Sequence, residues 1–201
     1  MENKSTNSLT LPKELEALTA EQLSMNTAEN ITIPTESEYK QWIYELREYQ
    51  KTMYECFNEY LRSYEYDYKV NDYYERACEA ISNLTKLQNT IQEITFSRGG
   101  SKKFLQKNRR EFYQVGDKVV DYGFVSVSDL PESSPEFRGG CQYKITVPKG
   151  FPIIDVGRSI KENLLCPGEA EFLLPAGTEF LIEEITGLET TSSKIKMRAL
   201  R

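Results

Sequence analysis

Three short segments, in a fixed order along the chain, carry the side chains best suited to chemistry. Arg98 stands before two glycines, Ser126 lies in an apolar segment with alternating polar residues, and Glu169 and Glu171 form a Glu-x-Glu pair. A guanidinium is a rigid fork that matches phosphate oxygens. One carboxylate can stay ionised near a developing cation while a second takes a proton. Together in a cleft, these side chains could hold a diphosphate and stabilise a cation on an attached sugar.

The spacing within the second and third segments favours their meeting. Residues two apart in a β-strand face the same side, so Phe124, Ser126 and Ser128 share a face, and so do Glu169 and Glu171. A serine facing a cleft can hold a carboxylate in one rotamer. Two adjacent carboxylates repel each other, which favours a proton on one of them. Taken singly, each segment also fits an ordinary turn or a solvated strand.

The residue types that are missing narrow the possible chemistry. The chain has no histidine, and its cysteines, Cys56, Cys78, Cys141 and Cys166, form no Cys-x-x-Cys pair. Catalytic Ser-His and Cys-His pairs are thereby excluded, and a zinc site is disfavoured. We therefore expect no metal and assign general-base work to a carboxylate.

The charge distribution favours an anionic small molecule over a nucleic acid. The whole chain has a net charge of -6, whereas residues 94–201 contain sixteen basic and fourteen acidic residues, a net charge of +2. An acidic protein is a poor general binder of nucleic acids, and we expect none as a partner.

The sequence also bears on location. No apolar run reaches the roughly 18 residues that a membrane span needs. No basic segment followed by an apolar stretch marks a signal peptide. We expect either a protein that stays in the cytoplasm of the producing cell or an effector or toxin that is delivered by a signal-independent route.

Helical patterns fill the first half of the chain. Residues 1–36 contain no aromatic side chain and are predicted to form a flexible arm. An apolar stripe at helical spacing then begins near Ser37, where Thr35 and Glu38 fit a capping box, and a second stripe covers roughly residues 72–92.

Strand patterns fill the second half. The first predicted strand begins at Ile94 and ends at Arg98 and the glycines after it. Further strands are predicted at residues 119–128, 141–147, 152–157, 169–174, 178–185 and 194–200. Helices followed by strands indicate the α+β class. We predict one monomeric domain over residues 37–201, with a helical lobe at 37–93 and a β core at 94–201.

The three chemical segments together resemble the bacterial mono-ADP-ribosyltransferases of the Arg…Ser-x-Ser…Glu-x-Glu class. This class includes the enzymatic components of binary actin-modifying toxins. Residues 96–99 are similar to the strand-end arginine of that family, residues 116–128 to its serine segment, and residues 143–148 and 168–180 to its closing strands. The resemblance implies NAD as the co-substrate and a helical lobe packed on a mostly antiparallel β core of two sheets.

The resemblance implies a role for each residue around the dinucleotide. Arg98 would bind the NAD phosphates, and the backbone of Gly99 would meet the nicotinamide amide. Ser126 would orient Glu171, and Ser128 would also line the NAD site. Glu171 would hydrogen-bond the nicotinamide ribose and favour the transition state in which nicotinamide leaves.

The resemblance also implies how a protein substrate is met. Glu169 would polarise or deprotonate the acceptor, and a glutamate at this position implies an arginine acceptor. Residues 157–168 would form the loop that contacts the substrate, with Leu164 and Leu165 as its apolar points. The chain departs from the family pattern at Val127, where the usual middle threonine hydroxyl of the serine motif is absent.

Two other functions remain compatible with the sequence. The same residues would serve an NAD glycohydrolase that has no specific acceptor. Ten of the thirteen tyrosines lie between Tyr39 and Tyr74, and a non-catalytic module could use such Tyr-rich helices to bind a partner helix.

Overall fold

The computed structural model describes residues 23–25, 33–62, 72–108, 111–129, 140–160, 170–188 and 193–200. Its helices are α1 (Glu36–Glu48), α2 (Tyr54–Arg62), α3 (Asp72–Lys86) and α4 (Val156–Ile160). A π-helical turn, Tyr49–Met53, joins α1 to α2, and a 3-10 turn spans Lys102–Leu105. We call α1, α2, α3 and the π turn the helical lobe.

The strands are β1 (Leu23–Met25), β2 (Gln88–Thr90), β3 (Ile94–Ser101), β4 (Gln106–Asn108), β5 (Glu111–Phe112), β6 (Lys118–Asp121), β7 (Val125–Ser128), β8 (Gly140–Val147), β9 (Ile154–Asp155), β10 (Glu171–Leu174), β11 (Thr178–Thr186) and β12 (Ser193–Ala199). Eight of them form the β core, in the order β6-β11-β12-β8-β3-β7-β10-β9. Their neighbours run antiparallel except for the parallel pair β12–β8. The α+β class and the mostly antiparallel core are therefore confirmed.

The β core consists of two halves that meet at a narrow junction. Strands β3 and β8 pair along eight residues, whereas β3 and β7 pair only through Ser97 and Ser128. The five strands from β6 to β3 thus form one half, and β7, β10 and β9 form the other. This division corresponds to the expected two sheets, and it leaves the end of β3 that carries Arg98 beside an opening.

The start of the first helix follows its local sequence. The side chain of Thr35 accepts a hydrogen bond from the Glu38 amide, and the Glu38 carboxylate accepts one from the Thr35 amide. This capping box satisfies two amides that the first turn cannot pair internally, so the predicted helix start is confirmed.

The second predicted helix corresponds to α3, and it ends earlier than its apolar stripe predicts. It stops at Lys86, and the prediction of a helix to residue 92 is wrong. The next residues pair with other parts of the chain instead: β2 pairs with β1, and the Ile153 amide donates to the Gln88 carbonyl at 3.1 Å. Leu87 is buried as the stripe requires, but Ile91 is 38% exposed. Long-range backbone pairing outweighs helical periodicity here, and it also makes β1 an ordered part of the predicted flexible arm.

Two strand predictions need correction. The predicted strand 119–128 divides into β6 and β7 because the two pieces pair with different partners, β11 and β10. Of the predicted strand 152–157, only Ile154–Asp155 (β9) forms a strand. The Asp155 carboxylate accepts a hydrogen bond of 2.9 Å from the Arg158 amide, and α4 begins at the next residue. The first predicted strand is confirmed, since β3 runs from Ile94 through Arg98 and the two glycines to Ser101, and its last residues pair with β8.

Two apolar clusters hold the fold together. One lies in the β core and includes Phe96, Val125 and Val127. The other lies between the helical lobe and the β core, and it joins Phe57 of α2 to Phe124, which directly precedes β7, and to strand residues such as Leu173. The two clusters lie on opposite faces of β7, so strand alternation also sets which face carries Ser126.

In the part of the chain that the structure describes, no helix is both long and apolar enough to cross a membrane. Within that same part, no three acidic or cysteine side chains converge as a metal site would require.

Candidate active site

The Glu171 carboxylate lies on the face of the β core that the helical lobe covers. Glu171 is the first residue of β10 and pairs with Ser128 of β7, while Leu173 pairs with Ser126. The Ser126 hydroxyl donates a hydrogen bond of 2.6 Å to Oε1 of Glu171. The structure thus brings together the serine and the glutamate that alternation places on inward faces.

Arg98 reaches the same place from β3. Its Nη1 donates a hydrogen bond of 3.0 Å to the backbone carbonyl of Ser126. Burial lowers the pKa of Arg98 below its usual range, and the nearby Asp121 carboxylate opposes that shift. An arginine nevertheless stays charged at neutral pH.

The Arg98 guanidinium keeps most of its donors available. A guanidinium has five N–H donors, and among the described residues that of Arg98 makes one hydrogen bond and no ion pair. The Asp121 carboxylate, whose charge acts on Arg98, is instead paired with Arg62. Arg98 is partly buried, and a partly buried cation without its own counterion favours a ligand that supplies negative charge. The geometry therefore suits an anion such as the diphosphate of NAD.

The helical lobe adds a second contact to Glu171 that sequence reasoning missed. Gln50, in the π turn, donates a hydrogen bond of 2.8 Å from Nε2 to Oε2 of Glu171. The apolar stripe predicts a continuous helix through this region, and no residue of the stripe signals a π turn. Gln50 could not have been found from spacing, because its partner lies 121 positions away.

A buried amide holds the π turn against the β core. Asn58 of α2 donates to the Tyr49 hydroxyl at 2.9 Å and accepts from the Phe124 amide at 2.7 Å. The Tyr49 ring stacks on Phe57 with ring centroids 5.9 Å apart. Burial raises the pKa of the Tyr49 hydroxyl, which stays neutral. These contacts fix the residue that precedes Gln50.

An ion pair closes the edge of the site between α2 and β6. Arg62 contacts both oxygens of Asp121, at 2.8 and 3.0 Å. Asp121 also accepts from the Gly123 amide at 2.9 Å. A side chain at position 123 would meet Asn58 Oδ1 at 2.7 Å and Arg62 at 2.9 Å, so glycine permits this close approach.

A cavity of about 460 Å³ opens on the other side of Arg98. Its lining includes Arg62, Arg98, Gly100, Asp121 and Tyr143, but not Ser126 or Glu171. Arg98 thus lines the cavity and also bonds to the backbone of Ser126, the residue that holds Glu171. The lack of a side chain at Gly100 serves packing, since a Cβ there would lie 2.9 Å from the Tyr143 ring.

Other predicted site residues are placed in part. Gly99 pairs with Gln142 on β3 and β8, and Ser128 pairs with Glu171 on β7 and β10. Both are backbone neighbours of the residues described above. Glu169, Leu164 and Leu165 lie outside the described residues.

Solved structures of bacterial toxins share this fold. The chain is similar to Plx2a, an ADP-ribosyltransferase toxin from Paenibacillus larvae, at 21% identity and a TM-score of 0.61 over 83% of this chain and 87% of the toxin. It is similar to the Clostridium limosum C3 exoenzyme at 19% identity and a TM-score of 0.64, over 82% of this chain and 89% of the exoenzyme.

A third similar structure is longer than this chain. The enzymatic component C2-I of the Clostridium botulinum C2 toxin matches at 17% identity and a TM-score of 0.62, over 82% of this chain but 45% of C2-I. A comparison with curated protein sequences gave no match.

The family profile described as "ADP-ribosyltransferase exoenzyme" matches residues 20–201, which is nearly the whole chain. That match includes the helical lobe as well as the strands that carry Arg98, Ser126 and Glu171. The chain belongs to the ADP-ribosyltransferase exoenzyme family.

Proposed function

We propose that this chain is a mono-ADP-ribosyltransferase that moves ADP-ribose from NAD to an arginine side chain of a protein and releases nicotinamide. The observation that carries the proposal is the convergence on Glu171: Ser126 holds one carboxylate oxygen, and Arg98 is bonded to the backbone of that serine. Family membership supports the NAD-dependent transfer of ADP-ribose. The arginine acceptor rests on Glu169 and the resemblance described above.

The residues present fit a dinucleotide co-substrate. Arg98 has donors available for the diphosphate. Gly99 follows Arg98 on β3, and Ser128 of β7 pairs with Glu171 of β10. Glu171 would accept hydrogen bonds from the hydroxyls of the nicotinamide ribose. Its negative charge would stabilise the positive charge that develops on that ribose.

The proposed transfer is a substitution at the ribose carbon that carries nicotinamide. The bond between the ribose carbon and the nicotinamide nitrogen breaks, and nicotinamide leaves with the electron pair. A guanidinium nitrogen of the acceptor forms the new bond to that carbon, and its proton passes to Glu169. The first residues of the predicted loop 157–168 belong to α4 (Val156–Ile160). We propose that the remainder, with Leu164 and Leu165, contacts the substrate protein. We further propose that the chain acts as a monomer, delivered as a toxin or effector to the cell that holds this substrate.

The experiment uses NAD labelled on its adenylate part, with a cell lysate as the source of acceptors. We expect labelled protein bands with the unaltered chain and a loss of at least about 100-fold with Glu171→Gln, which removes the charge opposite the developing cation. Glu169→Gln should abolish transfer and leave part of the NAD hydrolysis. Glu179→Gln is the matched control, since Glu179 pairs with Lys118 on the surface of the β core.

The possible outcomes separate the alternatives. Free ADP-ribose without labelled bands would indicate a glycohydrolase. No turnover of NAD by the unaltered chain would overturn the proposal. Equal loss of transfer and hydrolysis in Glu169→Gln would contradict the role of Glu169, and label that resists reagents cleaving arginine adducts would contradict the arginine acceptor.

A further inference from the structure

We propose that Gln50 is a positioning residue that sets the orientation of the Glu171 carboxylate for the reaction. The inference rests on the proposed function, because it assigns a partner to the carboxylate on which that function depends. It concerns a side chain from the helical lobe, whereas the three segments with recognisable chemistry all lie in the β core.

The two oxygens of Glu171 are held from two different walls of the site. Ser126 of β7 donates to Oε1 at 2.6 Å, and Gln50 of the π turn donates to Oε2 at 2.8 Å. A carboxylate with one fixed oxygen can still rotate about its terminal torsion, which is broad and has two equivalent minima. A second donor on the other oxygen removes that freedom.

Both donors are neutral, and this matters for the proposed chemistry. An ion pair would place a positive charge against the carboxylate and weaken its field at the ribose. No ion pair to Glu171 occurs among the residues that the structure describes. A serine and a glutamine instead orient the carboxylate and leave its charge uncancelled for a developing cation.

The π turn gives Gln50 a fixed base. Tyr49, immediately before it, is 3% exposed and packs edge-on against Phe124 with centroids 5.7 Å apart. Asn58 ties the Tyr49 hydroxyl to the Phe124 amide. Phe124 in turn begins the segment that contains Ser126. The two donors to Glu171 are therefore held by one connected group of contacts, and π turns inside helices often occur at functional sites.

This arrangement predicts a specific kinetic signature. A residue that only orients Glu171 acts in the transition state, so its loss should lower kcat and leave KM for NAD nearly unchanged. A residue that binds NAD directly would raise KM, and a purely structural residue would lower stability without changing kcat. We expect kcat to fall about 10-fold in Gln50→Ala.

Gln50→Glu sharpens the test. A carboxylate at this position would face the Glu171 carboxylate, and the two would either repel each other or share one proton. The first outcome displaces Glu171, and the second removes part of its negative charge. We expect a larger fall in kcat than in Gln50→Ala. The matched control is Gln41→Ala. It removes a comparable hydrogen bond of 2.7 Å, which Gln41 donates to the Glu45 carboxylate within α1, away from the site.

The measurements are kcat and KM for NAD cleavage, the melting temperature, and crystal structures of the unaltered chain and Gln50→Ala. Wild-type kcat in Gln50→Ala, or a rise in KM alone, would overturn the inference. If the unaltered chain does not cleave NAD, the proposed function fails, and the crystal structures decide about Gln50 separately. A Glu171 carboxylate that keeps one orientation without Gln50 would overturn the inference in either case.

Discussion

The β core and the helical lobe meet at Glu171, but they deliver their side chains to it by different means. Arg98, Ser126 and Glu171 lie on strands, where pairing register and alternation decide which way each residue faces. Gln50 and Asn58 lie on and after a π turn, where the chain departs from regular helical geometry. In the proposed reaction, the strands would supply the reacting groups and the helical lobe would supply the contacts that hold them.

The two regions also differ in how they are packed. The cluster in the β core is made of residues from strands and their connections. The cluster under the helical lobe needs Phe124, Ile154 and Leu173 from the β core to be complete. The helical lobe therefore depends on the strands for part of its own core, and the two regions should unfold together.

The largest expected effects test this dependence with one truncation in each cluster. Phe57 and Phe96 are both fully buried, Phe57 in the cluster under the helices and Phe96 in the β core. We expect Phe57→Ala and Phe96→Ala each to lower the free energy of unfolding by about 3–5 kcal/mol. Both variants should show one transition in urea.

Two probes separate the regions in that experiment. Fluorescence of Trp42, the single tryptophan, reports on the helical lobe, and far-ultraviolet circular dichroism reports on the whole chain. Coincident midpoints support one cooperative unit. If Phe57→Ala shifts the fluorescence transition alone, the helical lobe unfolds independently and the comparison must be revised.

A smaller effect is expected from the polar contact that joins the regions. Asn58→Ala leaves the buried Phe124 amide without its partner and removes the donor to the Tyr49 hydroxyl. We expect a loss of about 2 kcal/mol in the free energy of unfolding, measured by urea titration. The neighbouring surface variant Glu59→Ala should change stability by less than about 0.5 kcal/mol. A similar small change in Asn58→Ala would mean that this contact does not hold the lobe in place.

The smallest effect concerns thiol reactivity and leaves stability unchanged. Cys56 of α2 is exposed, whereas Cys78 of α3 is buried. Burial raises the pKa of Cys78 to about 12, so only about one Cys78 thiol in ten thousand is ionised at pH 8. Alkylation at pH 8, mapped by mass spectrometry, should modify Cys56 rapidly and Cys78 only after unfolding. Equal rates would show that the buried face of α3 opens without the β core.

Much of the β core could be predicted because strand alternation is a local rule. The placement of Phe124 and Ser126 on one face and Val125 on the other follows from a period of two residues. The capping box at Thr35 and Glu38 is local as well, and it needs only three residues of spacing. The division of residues 119–128 into two strands was not predictable, because each half takes its direction from a distant partner.

By itself, the sequence determined which groups are available for chemistry and which of them share a strand face. It contains no histidine, so the proposed reaction falls to carboxylates and Arg98, and alternation turns Ser126 inward. Only the tertiary structure decided that Gln50 meets Glu171, that Asn58 joins Tyr49 to Phe124, and that α3 stops at Lys86. Those contacts join residues far apart in the chain, and the free energy that selects them comes from long-range pairing and burial, which no local pattern records.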